Sequence, residues 1–286
     1  MPIPSATTAG SLSSDQAVAS FQARARYAFD LDEFARLTGR ADNLHAARVS
    51  LARLVQRNLI VPVHKRPSVF VIIPAEYMSD GAPPVVWWLH DALTRMVPGY
   101  YLALLSAARY WGSLPQAPQV EQVMVEQSRP LLTVGKHKIA FLTRTDPGRA
   151  PVTQVRGEKA PYFVSTREAT LLDLVKHQPK IGGLEVVARV AKDFGPHLTS
   201  AGMLRALDAM GQVAVAQRTG FILSELAIGK VAEVVAQWLA PRHMAARVLG
   251  EKQDPRHREC RNTRWRVMYS NSELQTIRDA NLRAEA

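Results

Sequence analysis

Apolar positions recur at helical spacing in the first well-patterned part of the chain, and a helix is expected from about Ser14 through Phe21 to Tyr27. Asp30 is placed to cap a short second helix carrying Leu31, Phe34 and Leu37, which Gly39 would end. Asp42 reads as the N-cap of a third helix from Asn43 to about Arg57. On that helix Leu44, Ala47, Leu51, Leu54 and Val55 share one side, the recurrence of a buried stripe. His45, Ala46, Val49, Ser50, Arg53, Gln56 and Arg57 share the other. Two β-type runs follow, Leu59–Val63 and Val69–Ile73, joined by a tight loop with Lys65, Arg66, Pro67 and Ser68.

Helix, helix, turn, helix and basic hairpin is the layout of a winged helix-turn-helix, expected over residues 15–78 behind a flexible leader, 1–14. A helix that reads DNA needs an apolar back that seats it and a polar front that reaches base edges in the major groove. Asn43, His45, Ser50 and Arg53 supply such a front, and Ala46 and Val49 permit close approach or contact with a thymine methyl. Arg48, at the rim of the apolar stripe, suits a phosphate. Arg57, Lys65 and Arg66 flank the helix where backbone contacts would position the domain without reading sequence. A small three-helix domain serving only protein contacts is the competing reading; the positive hairpin tip is what it does not explain.

Beyond residue 78 the pattern becomes mixed, and an α/β domain is expected over 79–286. The stretch from Tyr100 to Leu114 has helical period and ends at Gly112, while Gln119–Gln127, Lys136–Arg144 and Pro161–Val164 read as strands. Ser165 and Glu168 have capping-box spacing ahead of a helix carrying Leu171, Leu172 and Val175. Pro179 stops that helix, and Gly182-Gly183 makes a turn. Helices are expected at Leu184–Phe194, at about Ser200–Met210 and from Gly229 to Leu239, with strands at Val213–Ala216 and Thr263–Asn271. The fold class is therefore α+β, a winged helix-turn-helix followed by a larger mixed α/β domain.

Composition narrows this picture. The 286 residues, 47% hydrophobic and 21% charged, exclude a wholly disordered or fibrous chain and suit about two domains. One Cys excludes a disulfide framework and fits a reducing cytosol. The start of the chain lacks the pattern of a signal peptide. The most apolar stretch, Val85 to Trp111, is interrupted by His90, Asp91, Arg95 and Pro98-Gly99, so a cytoplasmic chain with no membrane partner is expected. The net charge of +11 points to a polyanionic partner, most simply double-stranded DNA. That charge is uneven: residues 21–70 and 129–159 each carry +5, and 241–286 carry +4.

Catalytic constellations are hard to find. A nucleotidyltransferase needs two metal-binding carboxylates on one strand after a Gly-Ser pair. After Gly112-Ser113 come only Glu121 and Glu126, five apart and on opposite strand faces. Gly10, Gly39 and Gly81 are isolated, without a phosphate-loop pattern. His243, His257 and Cys260 offer at most three ligands in a basic loop, and Asp173 reads as a structural helix residue. The aromatic group Trp87, Trp88, Tyr100, Tyr101, Tyr110 and Trp111 reads as core or interface. Neither a metal nor a cofactor is expected, and the chain does not read as an enzyme.

The segments YYLALLSAARYWG, VRGEKAPYFVSTREATLLDLVKHQPKIGG, QRTGFILSEL and RWRVMYSN, in that order behind the N-terminal pattern, resemble the AbiEi family of bacterial antitoxins over about residues 20–275. The sharpest parts are Ser106-Ala107-Ala108 before Gly112, the run Ser165 to Asp173, and Gly182-Gly183. The resemblance implies a DNA-binding repressor of its own operon, bound to inverted repeats in the promoter. It also implies a C-terminal domain that counters a nucleotidyltransferase-like toxin, a functional partner without a required stable complex. Two departures stand out: Asn58 replaces the usual glycine ahead of the wing, and Arg66-Pro67-Ser68 replaces a glycine-containing tip. A winged-helix regulator whose C-terminal domain senses a small molecule is the alternative.

Overall fold

A computed structural model describes residues 11–113, 119–250 and 259–282. The protein is α+β, and its described chain divides into two compact units. The first runs to Tyr100 and includes Arg129–Ala140 and Val155–Tyr162; the second comprises the remaining described residues. The chain begins with α1 (Ser14–Ala23), β1 (Ala28–Asp30), α2 (Leu31–Leu37), α3 (Leu44–Gln56), β2 (Ile60–Lys65), β3 (Ser68–Ile72) and α4 (Val85–Met96). It continues through β4 (Tyr100–Leu102), α5 (Leu104–Tyr110), β5 (Glu121–Val125), β6 (Leu132–Val134), β7 (His137–Thr143), β8 (Val152–Arg156) and β9 (Pro161–Ser165). Helices α6 (Arg167–Lys176), α7 (Gly183–Phe194), α8 (Ser200–Met210), α9 (Val213–Glu225) and α10 (Gly229–Leu239) follow. Short strands β10 (Arg247–Val248), β11 (Cys260–Asn262) and β12 (Val267–Tyr269) precede α11 (Asn271–Leu282).

In the first unit, Ser13 and Gln16 exchange side-chain and backbone hydrogen bonds at the start of α1, satisfying two otherwise orphaned amides. The helix ends at Ala23, short of the expected Tyr27; residues 24–27 turn the chain, and β1 follows from Ala28. Asp30 caps α2, and Glu33 returns the bond. The cap of α3 is Asn43 rather than the expected Asp42: its Oδ1 accepts the Ala46 N–H at 3.0 Å. Both residue types cap well, so backbone geometry alone decides between them. Ala47, Leu51 and Leu54 are buried, with Leu44 and Val55 at their edge. Asn58 leaves α3 at a φ of +55°, a region asparagine enters more readily than most side chains, and so serves where glycine would. The hairpin β2–β3 sets Lys65 opposite Ser68, and β1 joins the free side of β3. Phe21, Phe29 and Phe34 stack at the centre of this core.

Still in the first unit, α4 sets Trp87 against Tyr27, ring centroids 5.0 Å apart. Strand β6 pairs antiparallel with the start of β7, turning at Gly135. A Cβ there would fall 2.1 Å from the Asp80 carbonyl oxygen, so only glycine lets that loop close on the turn. Lys136 secures it, its N–H donating to the same carbonyl at 2.7 Å and its ammonium meeting the Asp80 carboxylate at 2.7 Å.

In the second unit, β4 runs parallel to β9 with Leu102 beside Val164. The N–H groups of Ala103 and Arg144 donate to carbonyls at Gln122 and Val125 of β5. The segment from Tyr100 is thus not one helix but a short buried strand followed by α5. An apolar run buried on every residue has no period by which to choose. Thr166, not Ser165, caps α6, accepting the Ala169 N–H. Glu168 does not close a box but accepts from the backbone and hydroxyl of Thr199, at 3.0 and 3.1 Å, ahead of α8. Val213–Ala216, expected as a strand, is the first turn of α9. Strand β12 pairs parallel with β10 and antiparallel with β11, and α11 takes over from Asn271. Among the described residues no helix is long and apolar enough to cross a membrane.

Candidate functional site

The outward face of α3 holds His45, Arg48, Val49, Ala52, Arg53 and Gln56, all exposed. Three further residues of the expected surface have internal partners. Asn43 spends its Oδ1 on the α3 cap, and the Ser50 hydroxyl donates to the Ala46 carbonyl at 3.0 Å. Arg57 reaches across to Asp15 on α1 with two contacts, 2.8 and 3.1 Å, tying the helices together at the surface. Among the described residues no carboxylate pairs with Arg48, Arg53, Lys65 or Arg66.

Arg48 from α3 and Lys65 and Arg66 from the hairpin tip line one open groove of about 650 Å³, shared with Asp30, Leu31, Asp32, Pro67 and Ser68. The tip is held by the Ser68 hydroxyl donating to the Lys65 carbonyl at 2.9 Å and by His64 against the Pro67 carbonyl at 3.0 Å. Asp30 is already engaged, capping α2 through one oxygen and accepting from Arg95 Nε at 3.2 Å through the other. Arg95 also meets both Glu33 oxygens at 2.9 Å. Burial pushes the Glu33 carboxyl up, but Arg26, the Asp30 N–H and Arg95 together hold it below its ordinary value. Of the two groove aspartates only Asp32 has no such counterion among the described residues, so cationic groups dominate the wall. The sequence identified the three cations; the acidic rim and its neutralisation by Arg95, more than sixty positions away, carried no local signal.

Several cations of the other basic segments have partners within their own unit, while Lys138, Arg149, Arg156, Arg247 and Arg261 are exposed. In 129–159, Arg129 donates to the Met96 carbonyl, Lys136 pairs with Asp80, and the Lys159 ammonium lies 5.1 Å from the Trp87 ring centre, all within the first unit. Arg144 is buried in the second unit. In the C-terminal segment Arg242 stacks on Trp238, Arg264 pairs with Glu233 at 2.5 Å, and Arg266 donates to the Met244 carbonyl at 2.6 Å.

Asp173 has no exposed surface. Arg144 donates to one of its oxygens at 2.5 Å and the Tyr101 hydroxyl to the other at 2.9 Å, while Arg144 Nε donates to the Tyr101 oxygen at 3.0 Å. Burial pushes the Tyr101 hydroxyl far above its ordinary value, with the Asp173 charge adding to it. Such a closed triangle leaves no atom of Asp173 facing a substrate. Its work is to join α6 to Tyr101 of β4 and to Arg144, which follows β7, within the second unit. His257 lies outside the described residues; Cys260 donates weakly to Asn271, and no described group of His, Cys, Asp and Glu is gathered for a metal.

Residues 101–225 match the family model of the AbiEi antitoxin C-terminal domain. Among solved structures, that of the RV2827C protein from Mycobacterium tuberculosis superposes with a TM-score of 0.64, covering 95% of this chain and 94% of that one at 14% identity. At that identity the likeness is one of fold. No curated protein matches the chain.

Proposed function

We propose that the chain is an antitoxin of the AbiEi family, whose C-terminal domain model matches residues 101–225, with a division of labour between its two units. The first acts as a winged helix-turn-helix that binds inverted repeats in its own promoter and represses transcription. The second counters a nucleotidyltransferase-like toxin in the cytoplasm. One observation carries the DNA reading: Arg48, Lys65 and Arg66 converge on one groove beside the exposed face of α3. Cations on a helix flank and on a hairpin tip suit phosphates at the border of a major groove that α3 enters. His45 and Arg53 then face base edges, where a guanidinium pairs best with guanine. Asn43 and Ser50 take lesser parts, the Asn43 oxygen and the Ser50 hydroxyl proton being already engaged, and Arg57 must leave Asp15 before it meets a phosphate.

Fluorescence anisotropy with the promoter duplex across a salt series tests the interface. Three phosphates in each of two half-sites give a slope of log affinity against log salt of about −5. The triple variant R48A/K65A/R66A is expected to flatten that slope and release a promoter reporter, while still rescuing cells that express the cognate toxin. A slope that the triple variant leaves unchanged removes this surface as the interface. Lost rescue with intact folding removes the division of labour.

A further inference from the structure

We propose that Val49 reads DNA sequence by seating the methyl group of a thymine, about two base pairs from the base read by Arg53. The inference rests on α3 being the helix that enters the major groove, and it names what that helix recognises.

Few large apolar side chains of the described residues are exposed, and Val49, at 39%, is the one on α3. A β-branched residue in the exposed middle of a helix gives up propensity relative to alanine. His45 precedes Val49 by one turn and Arg53 follows by one, so the three form a single exposed stripe. Ala52 on the same face is short, and Ala46, one turn before Ser50, is half-buried. The two other polar candidates on or beside the helix, Asn43 and Ser50, have committed the Asn43 oxygen and the Ser50 hydroxyl proton to the helix itself. The outward stripe therefore offers an imidazole, an aliphatic group and a guanidinium.

A protein partner seeking apolar area would meet one valine among arginines; Arg48 and Arg53 beside it favour a polyanion. The thymine C5-methyl is the one apolar group the major groove displays among its donors and acceptors, and it is the natural complement of an isolated valine between cations. One helical turn from Val49 to Arg53 advances about 6 Å, roughly two base-pair steps.

The full-length protein is first used to select duplexes from a randomised library. The enriched site is then resynthesised with deoxyuridine in place of each thymine in turn, which removes only the methyl. One position in each half-site is expected to weaken wild-type binding about fourfold, the worth of one buried methyl. Val49→Ala should bind the thymine duplex about as weakly as wild type binds the deoxyuridine duplex, with no further loss when both changes are made. Arg53→Ala should lose preference at its own position and keep the methyl penalty. No penalty at any thymine, or a penalty that Val49→Ala retains, overturns the assignment. If wild type enriches no sequence or binds no duplex, the DNA reading itself fails, an outcome distinct from specific binding without a methyl effect.

Discussion

Asp173 replaces all its water with two side chains, Arg144 and Tyr101, that lie 29 and 72 positions away in the chain. Burial raises its carboxyl while Arg144 pulls against it; burial lowers the guanidinium, and the Asp173 charge more than reverses that. Arg144→Met should therefore cost about 3–5 kcal/mol in urea unfolding, because it strands a buried charge. R144M/D173L should recover most of the loss; a double variant as unstable as the single one would mean that packing, not charge, is what the pair supplies. The sequence exposed only an acid amid apolar helix positions, which is why a structural role was legible and its partners were not. His177 is a second buried case. Burial, with Lys176, Lys180 and Arg144 nearby, pulls its imidazole down to about 4, and its Nε2 has no hydrogen-bond partner among the described residues. The unfolded chain takes up a proton below about pH 6.5 that the folded chain refuses until about pH 4, so stability falls as pH drops through that window. Solvent screening of the partly exposed ring limits the loss to about 1–2 kcal/mol. Urea midpoints at pH 7 and pH 4.5 should fall further apart for wild type than for His177→Gln; equal shifts would discharge His177 from this role.

Among the elements, α3 was legible because its apolar stripe is strictly periodic and one face truly meets water. Helix α9 was not: Val213–Ala216 alternates valine and alanine over too short a span to separate strand from helix, and packing decides. The same helix holds Gly220, which ordinary propensity would count as a defect. A Cβ there would lie 2.0 Å from the ring of Trp265, a side chain only 1% exposed whose indole N–H donates to Ser224, one turn further along α9, at 3.1 Å. Trp265 sits in the turn between β11 and β12, so the missing side chain lets that turn lock against the helix. Gly220→Ala, worth about 1 kcal/mol of stabilisation in an open helix, should here destabilise by about 2 kcal/mol and shift the tryptophan emission to the red. A more stable variant with unchanged emission would show that the indole does not fill that space.

Over the whole molecule, the net charge of +11 does not report a single polyanion-binding face. Arg129, Lys136, Arg144 and Lys159 in one basic segment, and Arg242, Arg264 and Arg266 in another, reach carbonyls, carboxylates or rings of their own unit. Summed charge along the sequence cannot separate these from Arg48, Lys65 and Arg66, because, Arg242 on Trp238 aside, their partners come from distant elements. The same long-range contacts bear on where the proposed DNA-reading part ends. Its phenylalanine core closes between Ala17 and Ile72, which makes a fragment ending at residue 78 a natural choice. Yet within that unit Trp87 packs on Tyr27, and Arg95 holds Asp30 and Glu33, so α4 braces the start of α2 and thereby one wall of the basic groove. An aromatic contact and a partly buried ion-pair network together contribute roughly 2 kcal/mol. A fragment of residues 1–97 should therefore unfold at higher urea than one of residues 1–78, by about that amount, and should bind the promoter duplex more tightly. Equal midpoints and equal affinities would place α4 outside the reader, whereas a gap confined to affinity would mean that Arg95 shapes the groove without stabilising the fold.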